Sequence, residues 1–288
     1  RNAVIMNVKP KSPFSDDELV LESINPNANL ITKNDPQYNG LKYVKAIDNF
    51  DRSIQPTTKS SKSPRVPDYY TSEFDNGIKL IGTKYSELPK VFLKLKIDGG
   101  NYLESTKLAG LSNLTAGLMN ESTLNYTSEE MEKALRKLGS SISFSSSGNS
   151  TIIIVTSLTK NLDATLVLLE EKLFNPAFTD EDVKRVKKQM LELLNSQLKD
   201  ANTLVRVKFL NIIYGETPQG ISASDKSIKK IKSKHIKSFY NDNYSPSIST
   251  ITVVGDISKE ELLPKLNFLN KWKNKSVNIP SSFNFPED

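Results

Sequence analysis

The sequence predicts an α+β fold, a two-layer unit in which helices pack on one face of an antiparallel β-sheet. Two observations predict it. Short segments that alternate apolar and polar residues, as half-buried strands do, occur on both sides of the helical segments. Several helical segments also follow one another directly, which is typical of helices segregated against an antiparallel sheet.

Each element rests on a local pattern. Residues 91–97 alternate as one buried and one exposed face, and Asn76-Gly77 and Gly148-Asn149 are turn signals, the second suited to a type I′-like hairpin. Thr127 or Ser128 caps one helix. In order, the predicted elements are strands 78–82 and 91–97, helices 108–120 and 129–138, strands 142–147 and 151–157, helices 162–173, 180–199, 202–213 and 233–241, strand 249–254 and helix 258–272.

Composition divides the chain into four segments. Residues 1–12 contain an apolar run that predicts the end strand of a preceding unit. Residues 13–73, rich in Pro, Ser and Lys, predict an extended linker, and residues 74–273 predict the α+β domain. Residues 274–288 are predicted to be an outgoing linker.

Several classes of chemistry are excluded or disfavoured by composition. The absence of cysteine excludes disulfides and thiolate metal sites, and the single histidine, His235, disfavours catalytic zinc and hydrolase triads. The formal charge is +6, and the densest lysine stretch is 226–237. This stretch lacks interleaved arginines and aromatics, so a solvated helix face is favoured over nucleic-acid binding. No run is apolar enough to cross a membrane.

The predicted helix 108–120 has two contrasting faces. Four leucines form an apolar stripe, and Asn113, Ala116, Gly117 and Asn120 form a small and polar one. Small residues either let a neighbouring element approach closely or line a binding cavity, and both interpretations stay open. Adjacent acids such as Glu170-Glu171 diverge on a helix, so they do not predict an acid–base pair.

Residues 76–272 resemble the pitrilysin/insulinase family of inverted-zincin metallopeptidases. The resemblance is carried by four motifs in the family's order: Asn76-Gly77-Ile78-Lys79-Leu80, Gly99-Gly100 with Lys107-Leu108-Ala109-Gly110-Leu111, Leu138-Gly139, and Tyr244-Ser245-Pro246 with Thr252-Val253-Val254-Gly255-Asp256. It implies a metallopeptidase-like roll. It also implies that the chain is the connector and first unit of the family's degenerate half, with a final unit beyond Asp288.

The same resemblance implies that the zinc motif is lost. Active members carry His-x-x-Glu-His, whose histidines bind zinc and whose glutamate activates water. The matching positions here are Asn113, Ala116 and Gly117. The family's third ligand, a glutamate, falls near Leu193, with Glu192 adjacent. We therefore expect no metal ion and no catalytic residue in this chain.

The resemblance predicts a non-catalytic domain that forms part of a peptidase chamber wall and assists peptide binding. We expect zinc in the other half or in a partner subunit, a peptide substrate, no nucleic acid, and a location in the cell envelope or periplasm. The parent protein or its partner would then be a zinc metalloendopeptidase. The alternative is a structural or scaffold subunit without a proteolytic role.

Overall fold

The structure, a computed structural model, describes residues 51, 53–54 and 66–280. The chain divides into two compact units, Arg1–Ser63 and Pro64–Asp288, and every element given below belongs to the second. The predicted end strand at 1–12, most of the predicted linker at 13–73 and the end of the outgoing segment, residues 281–288, lie outside the described residues.

Six strands form one sheet in the order β1-β2-β6-β3-β5-β4. Neighbouring strands run antiparallel, except that β2 and β6 are parallel. β4 and β1 are the two edge strands. The strands are Tyr70–Glu73 (β1), Lys79–Lys84 (β2), Lys90–Asp98 (β3), Ser141–Ser147 (β4), Ser150–Leu158 (β5) and Ser249–Gly255 (β6).

The helices cover one face of this sheet. On β3, Val91, Leu93, Leu95 and Ile97 are buried, whereas Phe92 on the opposite face is 38% exposed, so the alternation expected from the sequence is confirmed. The helices are Leu111–Leu118 (α1), Ser128–Leu138 (α2), Leu162–Phe174 (α3), Asp180–Gln197 (α4), Ala201–Tyr214 (α5), Asp225–Lys230 (α6), Ser233–Asn243 (α7) and Lys259–Lys265 (α8). The α+β two-layer prediction is therefore confirmed.

Two helices are shorter than predicted, for reasons of backbone geometry. Gly110 has a φ of 98°, so α1 begins at Leu111 and residues Thr106–Leu108 form a separate 3₁₀ turn. Pro264 lies inside α8 and lacks an amide hydrogen, and the chain continues after Lys265 as the 3₁₀ turn Asn267–Lys271. The prediction of one continuous helix over 258–272 was wrong.

The β4–β5 hairpin turn also differs from its prediction. Gly148, the first central residue of the turn, has a positive φ of 58°. Asn149, the second, does not, since among the described residues the one non-glycine residue with positive φ is Phe178. Positive φ at the first central residue alone is the pattern of a type II′ turn, whereas type I′ requires it at both. Strand β1 and helix α6 were not identified from the sequence.

Candidate functional site

Helix α1 is held in place by a carboxylate from the preceding turn. Its N-cap residue, Gly110, has no side chain to satisfy the first amides of the helix. Glu104 supplies the acceptors instead: its Oε1 accepts from the Gly110 amide at 2.9 Å, and its Oε2 accepts from the Ser112 amide at 2.7 Å. The sequence alone gave no signal for this contact, because Glu104 lies outside the helix that it caps.

Two opposing effects act on the Glu104 carboxyl. Burial raises its pKa to about 7, and the hydrogen bonds from the amides of Ser112, Gly110 and Leu111 oppose that rise. Because burial dominates, Glu104 takes up a proton at a pH where an exposed glutamate is ionised. Glu104 is therefore a positioning group for α1 whose charge depends on pH.

The three motif positions on α1 differ in exposure. Asn113 is exposed, Ala116 is fully buried, and Gly117 is half-buried beside α4. A Cβ placed on Gly117 would lie 3.3 Å from Val186 Cγ1 of α4, which is a tight contact. The small residue at position 117 therefore permits the close approach of α4.

A groove of about 420 Å³ lies between α1 and α4. The structure brings Asn113, Gly117 and Leu193 together in its lining, with Val186 and Met190. Ala116 and Glu192 are not among the lining residues. Glu192 is exposed and lies 3.8 Å from the Lys188 ammonium, so the carboxylate near the implied third-ligand position is turned to solvent.

These residues do not fit a zinc ion. A zinc site needs imidazole, thiolate or carboxylate ligands. The groove offers instead amide groups from asparagine and glutamine, and aliphatic side chains. Among the described residues, no three His, Cys, Asp or Glu side chains lie close enough to hold a metal ion.

The single histidine serves the local structure of α7. The main-chain amide of Lys232 donates to His235 Nδ1 at 3.1 Å, which caps the helix and requires that nitrogen to be unprotonated. Burial lowers the pKa of His235, and the nearby lysines 234, 232 and 187 lower it further. His235 is not among the residues that line the groove.

A second cavity, of about 400 Å³, lies at the other end of α1. Asn113 lines both cavities, and the second one also includes Glu104, Ser147 at the end of β4 and Arg206 of α5. Together the two cavities extend along α1 from the β4–β5 turn to α4. This arrangement can accommodate an elongated molecule.

The six-stranded sheet with its helices defines an α+β unit with a groove along α1, and among the described residues no cluster of metal ligands is present. The chain belongs to the insulinase family, peptidase family M16, whose sequence profile matches residues 82–226. The profile of the M16 inactive domain matches residues 230–288. The family predicted from the sequence motifs is thus confirmed.

Similar proteins include peptidases and non-peptidases. The chain is 26% identical to the non-peptidase homolog YmxG of Helicobacter pylori over 182 residues, which cover 62% of this chain and 42% of that protein. It is 21% identical to subunit 1 of the cytochrome b-c1 complex of Bos taurus, covering 69% of this chain and 42% of the subunit. The chain therefore spans less than half the length of these curated relatives.

Solved structures confirm the fold. The M16 inactive domain from Pseudomonas fluorescens superposes with a TM-score of 0.69 at 22% identity, covering 74% of this chain and 53% of that one. The periplasmic protease PqqL from Escherichia coli gives a TM-score of 0.65 at 20% identity, covering 77% of this chain and 26% of that one. Among the described residues of this chain, no helix is long and apolar enough to cross a bilayer.

Proposed function

We propose that this chain is a non-catalytic part of an M16 zinc peptidase, in which it forms part of a chamber wall and contacts the peptide. The observation that carries the proposal is the groove between α1 and α4. At the positions implied to be a zinc motif, the groove presents Asn113, Gly117 and Leu193, none of which is a zinc ligand. The groove lies beside α1 and has apolar walls formed by residues such as Val186 and Met190.

The edge strand β4 is the place at which we propose that the unit contacts an extended peptide. A sheet edge binds peptides by pairing main-chain groups, which gives affinity without a required sequence. β4 is an edge strand, and α1 lies against it, with Ser112 Oγ 2.5 Å from Ser146 Oγ. A peptide on β4 would therefore run beside the helix that carries Asn113 and Gly117.

The proposed partner is a zinc-bearing unit of the same family, in the same protein or in another subunit. An exposed apolar face on α5 supports a partner: Val205, Phe209 and Ile212 recur at helical spacing and are 68%, 60% and 66% exposed. The curated relatives are more than twice as long as the matched segment, so their architecture includes further structure that could cover such a face.

Calorimetric titration with zinc chloride tests the central claim. We expect no stoichiometric binding, because the groove lacks the three protein ligands of a zinc site. Tight one-to-one binding of zinc would overturn the assignment of a site without metal. A matched titration of the Glu192→Ala variant would show whether any weak heat comes from that exposed carboxylate.

A structural role is the second candidate function. It is favoured by the similarity to the non-peptidase homolog YmxG and to a subunit of the cytochrome b-c1 complex. An intact His-x-x-Glu-His motif in the other half or in a co-purifying partner would favour the peptidase role, and its absence from both would favour the scaffold. The similarity to a periplasmic protease supports a cell-envelope location for the parent protein.

A further inference from the structure

The outer edge of β4 is already engaged by a side chain from the turn that follows α1. Asn120 Oδ1 accepts from the Phe144 amide at 2.8 Å, and Asn120 Nδ2 donates to the Phe144 carbonyl at 2.9 Å. One carboxamide thus pairs with both main-chain groups of one strand residue, as a residue of a neighbouring strand would.

The pairing pattern shows which β4 residues turn their main-chain groups outward. The register with β5 is regular, and Ser147 pairs with Ser150 across the two-residue turn. Hydrogen-bonded pairs alternate along an antiparallel ladder, so Ser141, Ser143, Ser145 and Ser147 direct their main-chain groups towards β5. Ile142, Phe144 and Ser146 direct theirs to the outer edge, and Asn120 engages the central one of these three.

Asn120 is anchored by contacts besides those with Phe144. Its Nδ2 also lies 3.2 Å from the Ala116 carbonyl, and its own carbonyl accepts from Lys172 Nζ at 2.8 Å. The Lys172 side chain is 1% exposed. These contacts hold the turn against the sheet edge, so an incoming strand would have to displace the carboxamide before it could pair with Phe144.

We propose that Asn120 is the gate of a strand-addition site on β4, where an extended peptide segment pairs with Ile142, Phe144 and Ser146 once the carboxamide leaves Phe144. The inference rests on the proposed peptide-contacting function and adds a residue that limits it. The gate lowers the apparent affinity for peptide because the competent state is only part of the population. The same contact protects the edge from unintended pairing.

Peptide binding to the Asn120→Ala variant tests the gate. The probe is a fluorescently labelled peptide with the sequence of strand Lys90–Asp98, which adopts an extended conformation in the sheet. We expect the variant to bind it about tenfold more tightly than the wild type, because two competing hydrogen bonds are removed. A probe with prolines in place of Leu93 and Leu95 should bind neither protein, because proline lacks the amide that a ladder needs.

Two further variants separate the gate from a general loss of structure. Asn76 lies in the turn between β1 and β2, at the other edge of the sheet, and its carboxamide donates to the main-chain carbonyls of Leu269 and Trp272. The control variant Asn76→Ala removes this carboxamide and should leave probe affinity unchanged. Asn120→Asp keeps an acceptor for the Phe144 amide. Amide hydrogen exchange at Phe144 should therefore be accelerated in Asn120→Ala and much less in Asn120→Asp.

The possible outcomes separate the gate from the proposed function. Equal probe affinity in wild type and Asn120→Ala, or unchanged exchange at Phe144, overturns the gate and leaves peptide binding standing. No binding of the probe to either protein overturns both the gate and β4 as the peptide site. Self-association of Asn120→Ala without probe binding, seen by sedimentation velocity, would show that a second copy and not a peptide takes the edge, which overturns the peptide assignment.

Discussion

Single residues decide what this unit can do. Asn113 and Gly117 occupy positions where the family resemblance implies histidines, and the structure places them in one groove with Leu193. These residues were identified from the sequence because a motif has fixed spacing. Glu104 and Asn120 act through contacts with main-chain groups elsewhere in the chain, which no local pattern reveals. Asn120 was seen from the sequence only as part of a small, polar helix face.

The raised pKa of Glu104 predicts a pH dependence of stability. Burial raises the pKa from 4.5 to about 7, so between these values the folded protein keeps a proton that the unfolded chain has lost. The free energy of unfolding should therefore fall as the pH rises from about 4.5 to about 7, and Glu104 should add no further change above that. Urea unfolding at pH 5 and pH 8 measures the fall, which Glu104→Gln should reduce.

The control for this pH dependence is Glu192→Gln, which changes an exposed glutamate beside Lys188. It should keep the pH dependence of the wild type. Equal pH dependence in the wild type and in Glu104→Gln would contradict the assignment of the titration to Glu104.

Restoring the motif alone should not restore a metal site. We expect the Asn113→His/Ala116→Glu/Gly117→His variant to bind zinc weakly, because two imidazoles lack a third protein ligand. Any side chain at 117 also meets Val186, since a Cβ there would lie 3.3 Å from its Cγ1. Addition of Leu193→Glu and Val186→Ala should strengthen binding, as measured by calorimetry. Tight stoichiometric zinc binding by the three-residue variant would show that a metal site in the groove requires neither Leu193→Glu nor Val186→Ala.

At the scale of elements, strands and helices were predicted well where the sequence pattern ran over six or more residues with a clear period. The hairpin of β4 and β5 and the helices α2 and α3 match their predicted segments within a few residues. β1 was missed because its four residues, Tyr70–Glu73, are too few to establish alternation and form a strand only by pairing with β2. α6 was missed because its six residues lie in a lysine-rich stretch, where two lysines follow Ile228.

Helix α5 is the element that most clearly calls for a partner, since none of its residues is buried. Replacing Phe209 and Ile212 by serine should change the free energy of unfolding by less than about 0.5 kcal/mol, because both side chains are exposed. The same change should reduce binding to a zinc-bearing partner unit, measured by sedimentation velocity. Val167→Ser, which removes a 61% exposed side chain from α3, is the matched control.

A large loss of stability in the Phe209→Ser/Ile212→Ser variant would contradict the exposed placement of α5. Unchanged partner binding would remove α5 from the proposed interface while leaving the fold intact.

At the scale of the whole molecule, the α+β architecture followed from the order of the predicted strands and helices, and the family followed from ordered motifs spread over most of the second unit. The strand order did not, because the parallel contact between β2 and β6 joins Lys79 to Thr250 across the length of the chain. Such a contact depends on how the helices return the chain to the middle of the sheet.

The proposed role in a larger protein predicts dependence on a second unit. The chain alone should not hydrolyse a peptide, and a zinc-bearing unit of the same family should cleave more efficiently in its presence, because a wall helps to hold the peptide. Peptide cleavage by the partner, measured with and without this chain, tests this. Hydrolysis by the isolated chain that a chelator abolishes would contradict the proposal.

The limited space between position 117 and Val186 has an evolutionary consequence. A histidine at position 117 would need Val186 on α4 to give way by a few tenths of an ångström, and a zinc site would also need a new carboxylate near Leu193. No single substitution on that path gives a working site, so selection cannot reward the steps one at a time. On the proposed function, changes in what this chain recognises would therefore be selected more readily than the gain of a metal site.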